Sequence, residues 1–368
     1  MKKNKILMII IIIIVFISLL NSKGELVENL DIPYGVGADM EKNGASYIYR
    51  VPTLIYSFQA NGDIVGKVIV GVGKSIGETR ENRQLIASKK FLMGLNRVFI
   101  FSEEASRDGI RNYIDINTNN PDINDRSLCV VCKGKSEDML KHKVIGYTSS
   151  AEYIEGMVKN LKQFNFFPME YKTMDIIVRI DSEGRNVILP YLELKEEEIK
   201  TTGIAIFKGD KMIGKADMNE AKIINLLKQN NVRGILTIKQ SENKQISFYG
   251  YSKRKVKLSK ENGKYKINIA LNITGQLLSN ELYKNLVNSP EKLKQFEEDM
   301  SRKVENMCNG SIEKIYKQYG VDVLDLGRIA ASQYGRHTGV DWNRVMMDSE
   351  IQVTAKVKVD TEGRGFYE

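Results

Sequence analysis

Three cysteines, two histidines and six prolines in 368 residues exclude several classes of protein. Three cysteines cannot form a disulfide framework. Cys129 and Cys132 make a CxxC, but Ser127-Leu128-Cys129-Val130-Val131-Cys132 reads as a β-branched strand. Redox pairs sit where a strand gives way to a helix N-terminus that lowers the thiol pKa. On an extended strand, positions i and i+3 also point to opposite faces. These thiols therefore read as core or edge residues. A metal would have only Cys308, His142 and His337 left among the soft ligands. There is no H-E-x-x-H. Gly71-Val72-Gly73-Lys74-Ser75 looks like the tail of a phosphate-binding loop, but the full pattern needs glycine where Val68 stands. Glu196-Glu197-Glu198 reads as a solvated connector rather than acid–base machinery. No catalytic, cofactor-binding or metal-binding residue is assigned, no cofactor is expected, and the chain does not read as an enzyme. The scarcity of proline, without a Pro- or Ser-rich tract, implies compact domains on short linkers.

What is present begins at the N-terminus. Lys2, Lys3 and Lys5 precede a nearly uninterrupted apolar run, Ile6 to Leu20, and Asn21-Ser22-Lys23-Gly24 ends it. A basic head, an apolar centre and a polar exit form an export signal. A fifteen-residue helix covers roughly 22 Å, short of a hydrocarbon core of about 30 Å. That length suits a cleaved segment, or a retained anchor whose flanking polar residues reach the headgroups. Leu20 is too bulky for a small-x-small cleavage site ending at Ser22. The expectation is a retained anchor with its N-terminus inside. The formal charge, 55 minus 46 or +9, suits an anionic membrane surface. Its cations are dispersed, which together with the export signal argues against nucleic acid.

Along the chain, Tyr47 to Phe58 reads as a strand that Pro52 confines to an edge or bulge. Strand Lys67–Val72, helix Ile76–Lys90, strand Arg97–Phe101, a Ser102-capped helix through Ile114, strand Ser127–Val131 and helix Ser149–Phe164 predict an α/β layer. Met174 to Leu194 reads as a hairpin, with Ile176, Val178 and Ile180 alternating and Asp181 to Arg185 turning. Two strands across Thr202–Gly214, a helix started by Asp217 and Glu220, and strand Gly234–Ile238 follow. Strand Ile246–Lys260 carries Lys253, Lys255 and Lys257 on one face, either a lipid or acidic-partner surface or, more simply, an edge made unsticky by lysine. Strand Lys264–Leu271 comes next. A long helix opens at Ser289-Pro290 and ends at Gly320, and a second runs from Val321 to Ser332. With the last strand, Glu350–Asp360, these predict helices on an antiparallel sheet. The fold class expected is α/β and α+β: a three-domain ectodomain with mixed sheets and packed helices behind an apolar helix. The expected division is 1–24 signal or anchor, 25–198 α/β, 199–262 small α+β, and 263–368 α+β with the long helix.

Four collinear stretches resemble the Ger(x)C family, the C subunits of spore germinant receptors. They are the apolar run with Glu25-Leu26, Gly35-Val36-Gly37 and Asp39; Gly77-Glu78-Thr79-Arg80 with Arg97 to Glu104; Gly203 to Gly214; and Trp342 with the Glu350–Lys358 strand. The resemblance implies a non-enzymatic protein at the outer face of the spore inner membrane. It also implies polytopic A-type and B-type receptor subunits, and membrane lipid, as partners. Family members are typically lipoproteins held through a modified cysteine, whereas Lys23 stands at that position. The alternative, an exported solute-binding protein of a transporter, predicts two similar lobes around a cleft.

Overall fold

In a computed structural model of the protein, the described residues are 2–21, 26–44, 46–59, 62–92, 94–119, 124–168, 171–261, 263–283, 286 and 289–361. Lys23 lies outside them. Helix α1 spans Lys2–Asn21, and Ile6 and Met8 to Phe16 are exposed on it. No helix, among the described residues, is long and apolar enough to cross a membrane.

The chain then enters β1 (Leu30–Asn43), β2 (Ser46–Phe58) and β3 (Ile64–Gly73), followed by α2 (Ile76–Gln84). Next come β4 (Lys90–Phe91), β5 (Val98–Ser102), α3 (Glu103–Asp108), α4 (Arg111–Thr118) and β6 (Leu128–Cys132). Helices α5 (Ser136–Lys141), α6 (Ser150–Asn160) and α7 (Thr173–Asp181) lead to β7 (Ile188–Lys195), β8 (Glu198–Lys208) and β9 (Lys211–Asp217). These strands form one nine-stranded sheet in the order β3-β2-β1-β5-β6-β7-β8-β9, with β4 also beside β1. The centre, β1-β5-β6-β7, is parallel, and both flanks are antiparallel. β5 and β6 are buried at every position, as parallel strands covered on both faces must be.

The glycine-spaced entry explains how β1 sits at that centre. A Cβ at Gly35 would lie 2.7 Å from Ala151 Cβ of α6 and 2.9 Å from a Leu140 methyl of α5. At Gly37 it would meet Ser136 and the Pro52 ring, at 2.2 and 2.6 Å. Two residues on, buried Asp39 accepts the Ser136 and Glu137 backbone N–H groups at 2.6 and 3.0 Å. One alternate set of β1 residues thus receives α5 and α6, and the other, Val36 and Ala38, lines a cavity with Ile76 and Thr79 of α2 and Ile116 of α4.

The second sheet is β10 (Val232–Ser241), β11 (Lys244–Glu261), β12 (Lys264–Asn280) and β13, preceded by α8 (Met218–Lys228). Between β12 and β13 (Glu350–Thr361) run α9 (Pro290–Tyr319), α10 (Leu326–Tyr334) and α11 (Trp342–Met347). Ser289 caps α9 through the Lys292 N–H, and Gly320 closes it with φ +63°. The expected division at 198/199 falls in the β7–β8 hairpin and that at 262/263 in the β11–β12 hairpin, both hydrogen-bonded to their turns.

Several expectations are corrected. Thr173–Asp181 is a helix, not half of a hairpin: buried Thr173, Ile176 and Arg179 recur every three residues, and Val178 is exposed. Alternating Ile176, Val178 and Ile180 imitate a strand, but Asp175 accepts the Lys172 N–H and starts a helix. Pro52 lies inside the sheet, because Gly37 leaves room for its ring. The second sheet is mixed, because β13 pairs parallel to β12 after the helical crossover. The helix expected from Val321 begins only at Leu326, and the one expected to reach Ile114 breaks at Gly109.

The open edge of β13 is covered by α9. Glu297, Ser301, Glu305 and Asn309, spaced by four, accept the N–H groups of Val359, Val357, Ala355 and Val353 at 2.8–2.9 Å. Removing one rung exposes one amide to loss of its acceptor. Glu305→Ala should remove hydrogen-exchange protection at Ala355 while sparing Val353. It should lower stability by about 1 kcal/mol in urea unfolding. Unchanged protection at Ala355 would show that the rung does not hold the edge.

Candidate functional site: a buried polar junction between the two sheets

The two sheets share no strand, and a buried polar contact between their halves is built from loops and helices. α7 delivers Arg179, α8 delivers Lys228 at its last turn, and the segment before α10 delivers Asp325. Arg179 Nη1 donates to Asp325 Oδ2 at 2.6 Å, and Lys228 Nζ to Asp325 Oδ1 at 2.8 Å. Lys228, whose side chain is 1% exposed, also donates to the Val323 carbonyl at 3.2 Å. Asp325 holds φ +56°, a left-handed conformation in which an aspartate is tolerated better than most residues. Arg254 of β11 closes the group from below, donating to the Lys228 and Leu324 carbonyls at 2.7 and 3.2 Å.

Asp322 organises the adjoining turn. Its carboxylate accepts the Tyr316 hydroxyl and the Leu324 and Gly327 N–H groups, at 2.8, 3.0 and 2.6 Å. Asn186, in the loop before β7, donates to the Asp322 carbonyl and to Asn343 of α11. Beside it, Gly184 packs backbone to backbone on α10: with φ +68°, an added Cβ would lie 2.4 Å from the Gly327 carbonyl carbon. Glu183 accepts from Trp342 Nε1 and from the His337 N–H, both at 2.8 Å.

The charges are set by this surrounding. Burial pushes the Asp325 carboxyl up, but Lys228 and Arg179 outweigh burial and hold it at about 2, below its ordinary 3.8. Burial, with repulsion from Asp325, raises the Asp322 carboxyl above its ordinary value, although the Gly327 N–H opposes it. Burial pulls Arg254 down to about 10, with Asp325 opposing. The arrangement is suited to locking surfaces together rather than to proton transfer, because every group named is directed at protein.

The residues weighed from the sequence lie elsewhere. Cys129, Cys132 and Cys308 are free and buried, and burial pushes the Cys129 and Cys308 thiols up to about 12. His142 ends α5, and His337 sits in the loop after α10. No group of three or more His, Cys, Asp or Glu able to hold a metal occurs among the described residues. Ser75 of the loop-like Gly71–Ser75 stretch is the N-cap of α2. Glu196 and Glu197 form the exposed β7–β8 turn, both at positive φ. Lys253, Lys255 and Lys257 are exposed, on the part of β11 beyond Ser252 that pairs with β12 alone. Sequence reasoning missed the junction. Its one signal was Asp322-x-x-Asp325 in an apolar stretch, absorbed into an expected helix.

The depressed Asp325 value has a definite sign. A carboxylate held below its unfolded value contributes stability that is present above pH 3.8 and lost as pH falls through about 2. Asp325→Asn should abolish that part of the acid dependence. It should also cost roughly 3–5 kcal/mol near neutrality, because two buried cations lose their anion. Urea unfolding across pH tests both, and a variant as stable as the parent at neutral pH would remove the junction from the account. Gly184→Ala should destabilise without altering the acid limb.

Residues 24–194 match the family described as spore germination protein N-terminal domain. Residues 202–363 match the family described as spore germination B3/GerAC like, C-terminal. A curated relative, spore germination protein GerQC of Bacillus cereus, is 22% identical over 345 residues, covering 93% of this chain and 94% of the relative. The crystal structure of the GerBC protein superposes with a TM-score of 0.57 at 15% identity, covering 89% of this chain and 98% of that one, and bears out the mixed α/β and α+β architecture. The chain belongs to the Ger(x)C family of spore germination proteins.

Proposed function

We propose that this chain is the C subunit of a nutrient germinant receptor at the outer face of the spore inner membrane, without catalytic activity of its own. It is required there for the receptor to assemble and respond to germinants. The observation that carries the reading is the occurrence of both germination domains, 24–194 and 202–363, in one chain. The buried junction supports it, because a brace between partners must keep its two surfaces in fixed relation. In this reading α1 is retained as the anchor with its N-terminus inside, since its exposed apolar side chains are not packed on the fold. Polytopic A-type and B-type subunits are the partners.

Deleting the gene should abolish germination to one class of nutrient while nutrient-independent germination persists. Normal nutrient germination in a strain without paralogues would refute the role. Equilibrium binding of amino acids or sugars to the full chain in detergent should be absent. Tight binding would favour the solute-binding alternative, which the unequal nine- and four-stranded sheets do not resemble. Mass spectrometry of the mature N-terminus should find Ile6 to Leu20 retained. A soluble mature protein beginning at Lys23 would overturn the anchor.

A further inference from the structure

We propose that the α1-proximal end of the nine-stranded sheet is a membrane-docking surface that seats anionic phospholipid headgroups in a cationic groove beside Arg83. The inference rests on the membrane residence read above. It adds a second contact, made by the folded body.

The geometry begins with the chain path. Only residues 22 to 29 separate Asn21 at the end of α1 from Leu30 at the start of β1. Nine peptide steps span at most roughly 30 Å. Leu30 and Asp31 pair with Lys90 and Phe91 of β4, and the Leu92 N–H donates to the Asp31 carbonyl at 3.0 Å. Asp31 also lies opposite Ser57 near the end of β2, and Ser57 lies opposite Val65 of β3. The turn entering β1, the end of β2, the start of β3 and the loop after α2 thus share one end of the sheet.

Apolar side chains are exposed at that end, alongside the polar Gln59, Asp63, Ser88 and Lys90. Leu26 and Val27 precede β1, Ile64 and Val65 start β3, and Leu85 and Ile86 follow α2; all six are 48–80% exposed. Isolated exposed apolar residues need no explanation, but an apolar rim around a cationic groove marks an interaction surface. The groove holds about 480 Å³ and is lined by Arg80, Arg83, Ser88, Lys89, Lys90 and Phe91, among others. Arg83 is 93% buried (7% exposed). Its Nη1 donates to Thr53 Oγ1 at 3.1 Å, and its guanidinium lies 5.1 Å from the Phe91 ring centroid. Among the described residues no carboxylate pairs with it. Burial pulls it down to about 10, with Arg80 adding repulsion, so an anion in the groove would relieve both costs. Lys89 is held at the mouth by Ser57 Oγ at 2.9 Å and the Phe58 carbonyl. Cations at headgroup depth between apolar side chains that enter the acyl boundary match an anionic bilayer surface.

The test uses the full chain reconstituted in vesicles of phosphatidylcholine with and without phosphatidylglycerol. Because the native cysteines are buried, Ile86→Cys can be labelled selectively with an environment-sensitive fluorophore. Lys42→Cys, exposed near the far end of β1 and roughly 35 Å away by strand rise, is the control. The label at 86 should shift to the blue and be quenched by doxyl-lipids in phosphatidylglycerol vesicles, and the label at 42 should not. The double Lys89→Gln, Lys90→Gln variant leaves Arg83 in place. It should lower the docked-to-undocked ratio about fivefold per cation removed.

A water-like label at 86 in a chain that resists carbonate extraction would overturn the docking surface and leave the anchor intact. Extraction by carbonate of a chain whose label was quenched beforehand would keep the docking surface and remove the anchor. Equal quenching in both vesicle types, unmoved by the lysine variant, would overturn the headgroup role. So would an equal response to inorganic phosphate in detergent, which would assign the groove to a free anion.

Discussion

One carboxylate, Asp325, holds a cation from each side of the molecule: Arg179 from the helix leading into the large sheet and Lys228 from the helix leading into the small one. Buried ion pairs seldom add net stability over well-packed apolar residues, since desolvation offsets most of the attraction. What they impose is position. A shift of one sheet against the other would part Arg179 from Asp325 and leave both charges buried with that bond broken. Tyr319 at the end of α9 adds a second tie, donating to the Lys215 carbonyl of β9. A third lies at residues 164–166, where the Phe166 N–H donates to the Arg233 carbonyl and the Ile235 N–H to the Phe164 carbonyl.

These ties also decide what the small sheet can do. Its β10 edge is occupied by residues 164–166 from the other half, and Gly234 gives the Phe166 ring room to approach. Its β13 edge is occupied by the polar row of α9. An uncovered edge invites pairing with another chain. The small sheet therefore presents its faces and loops rather than open edges for strand addition.

Much of the architecture was legible because local chemistry and tertiary role agreed. Ser289-Pro290, Gly320, Ser102 and Asp217 act as the caps their residue types suggest. Phe296, Met300 and Val304 are the buried stripe of α9. The adjacent row Glu297, Ser301, Glu305 and Asn309 was equally visible, but nothing local says that such a row faces a strand edge rather than water. Ile176, Val178 and Ile180 misled because three β-branched residues at alternate positions also fit a helix whose buried face steps by three. The direction of β13 was hidden for another reason: pairing direction follows from the crossover of α9 to α11, not from the strand's composition. The junction was the least legible, since its hydrogen-bonded members stand up to 159 residues apart in sequence.

The glycine-spaced entry has a mechanical consequence once α1 is read as an anchor. β1 is the first strand after α1, yet it lies inside the sheet, hydrogen-bonded to β2 on one side and to β4 and β5 on the other. Force from the membrane would enter the middle of the fold, not a peelable edge. Gly35 and Gly37 let α5 and α6 approach β1 more closely than any side chain would allow, and Asp39 fixes the start of α5 with two backbone hydrogen bonds. That carboxyl is raised above its ordinary value by burial, with the Ser136 and Glu137 amides pulling it back. Its charge is therefore held by the helix N-terminus rather than by a cation. Replacing either glycine would push α5 off the strand and leave Asp39 buried without donors, so the glycine spacing and the acid work as one unit.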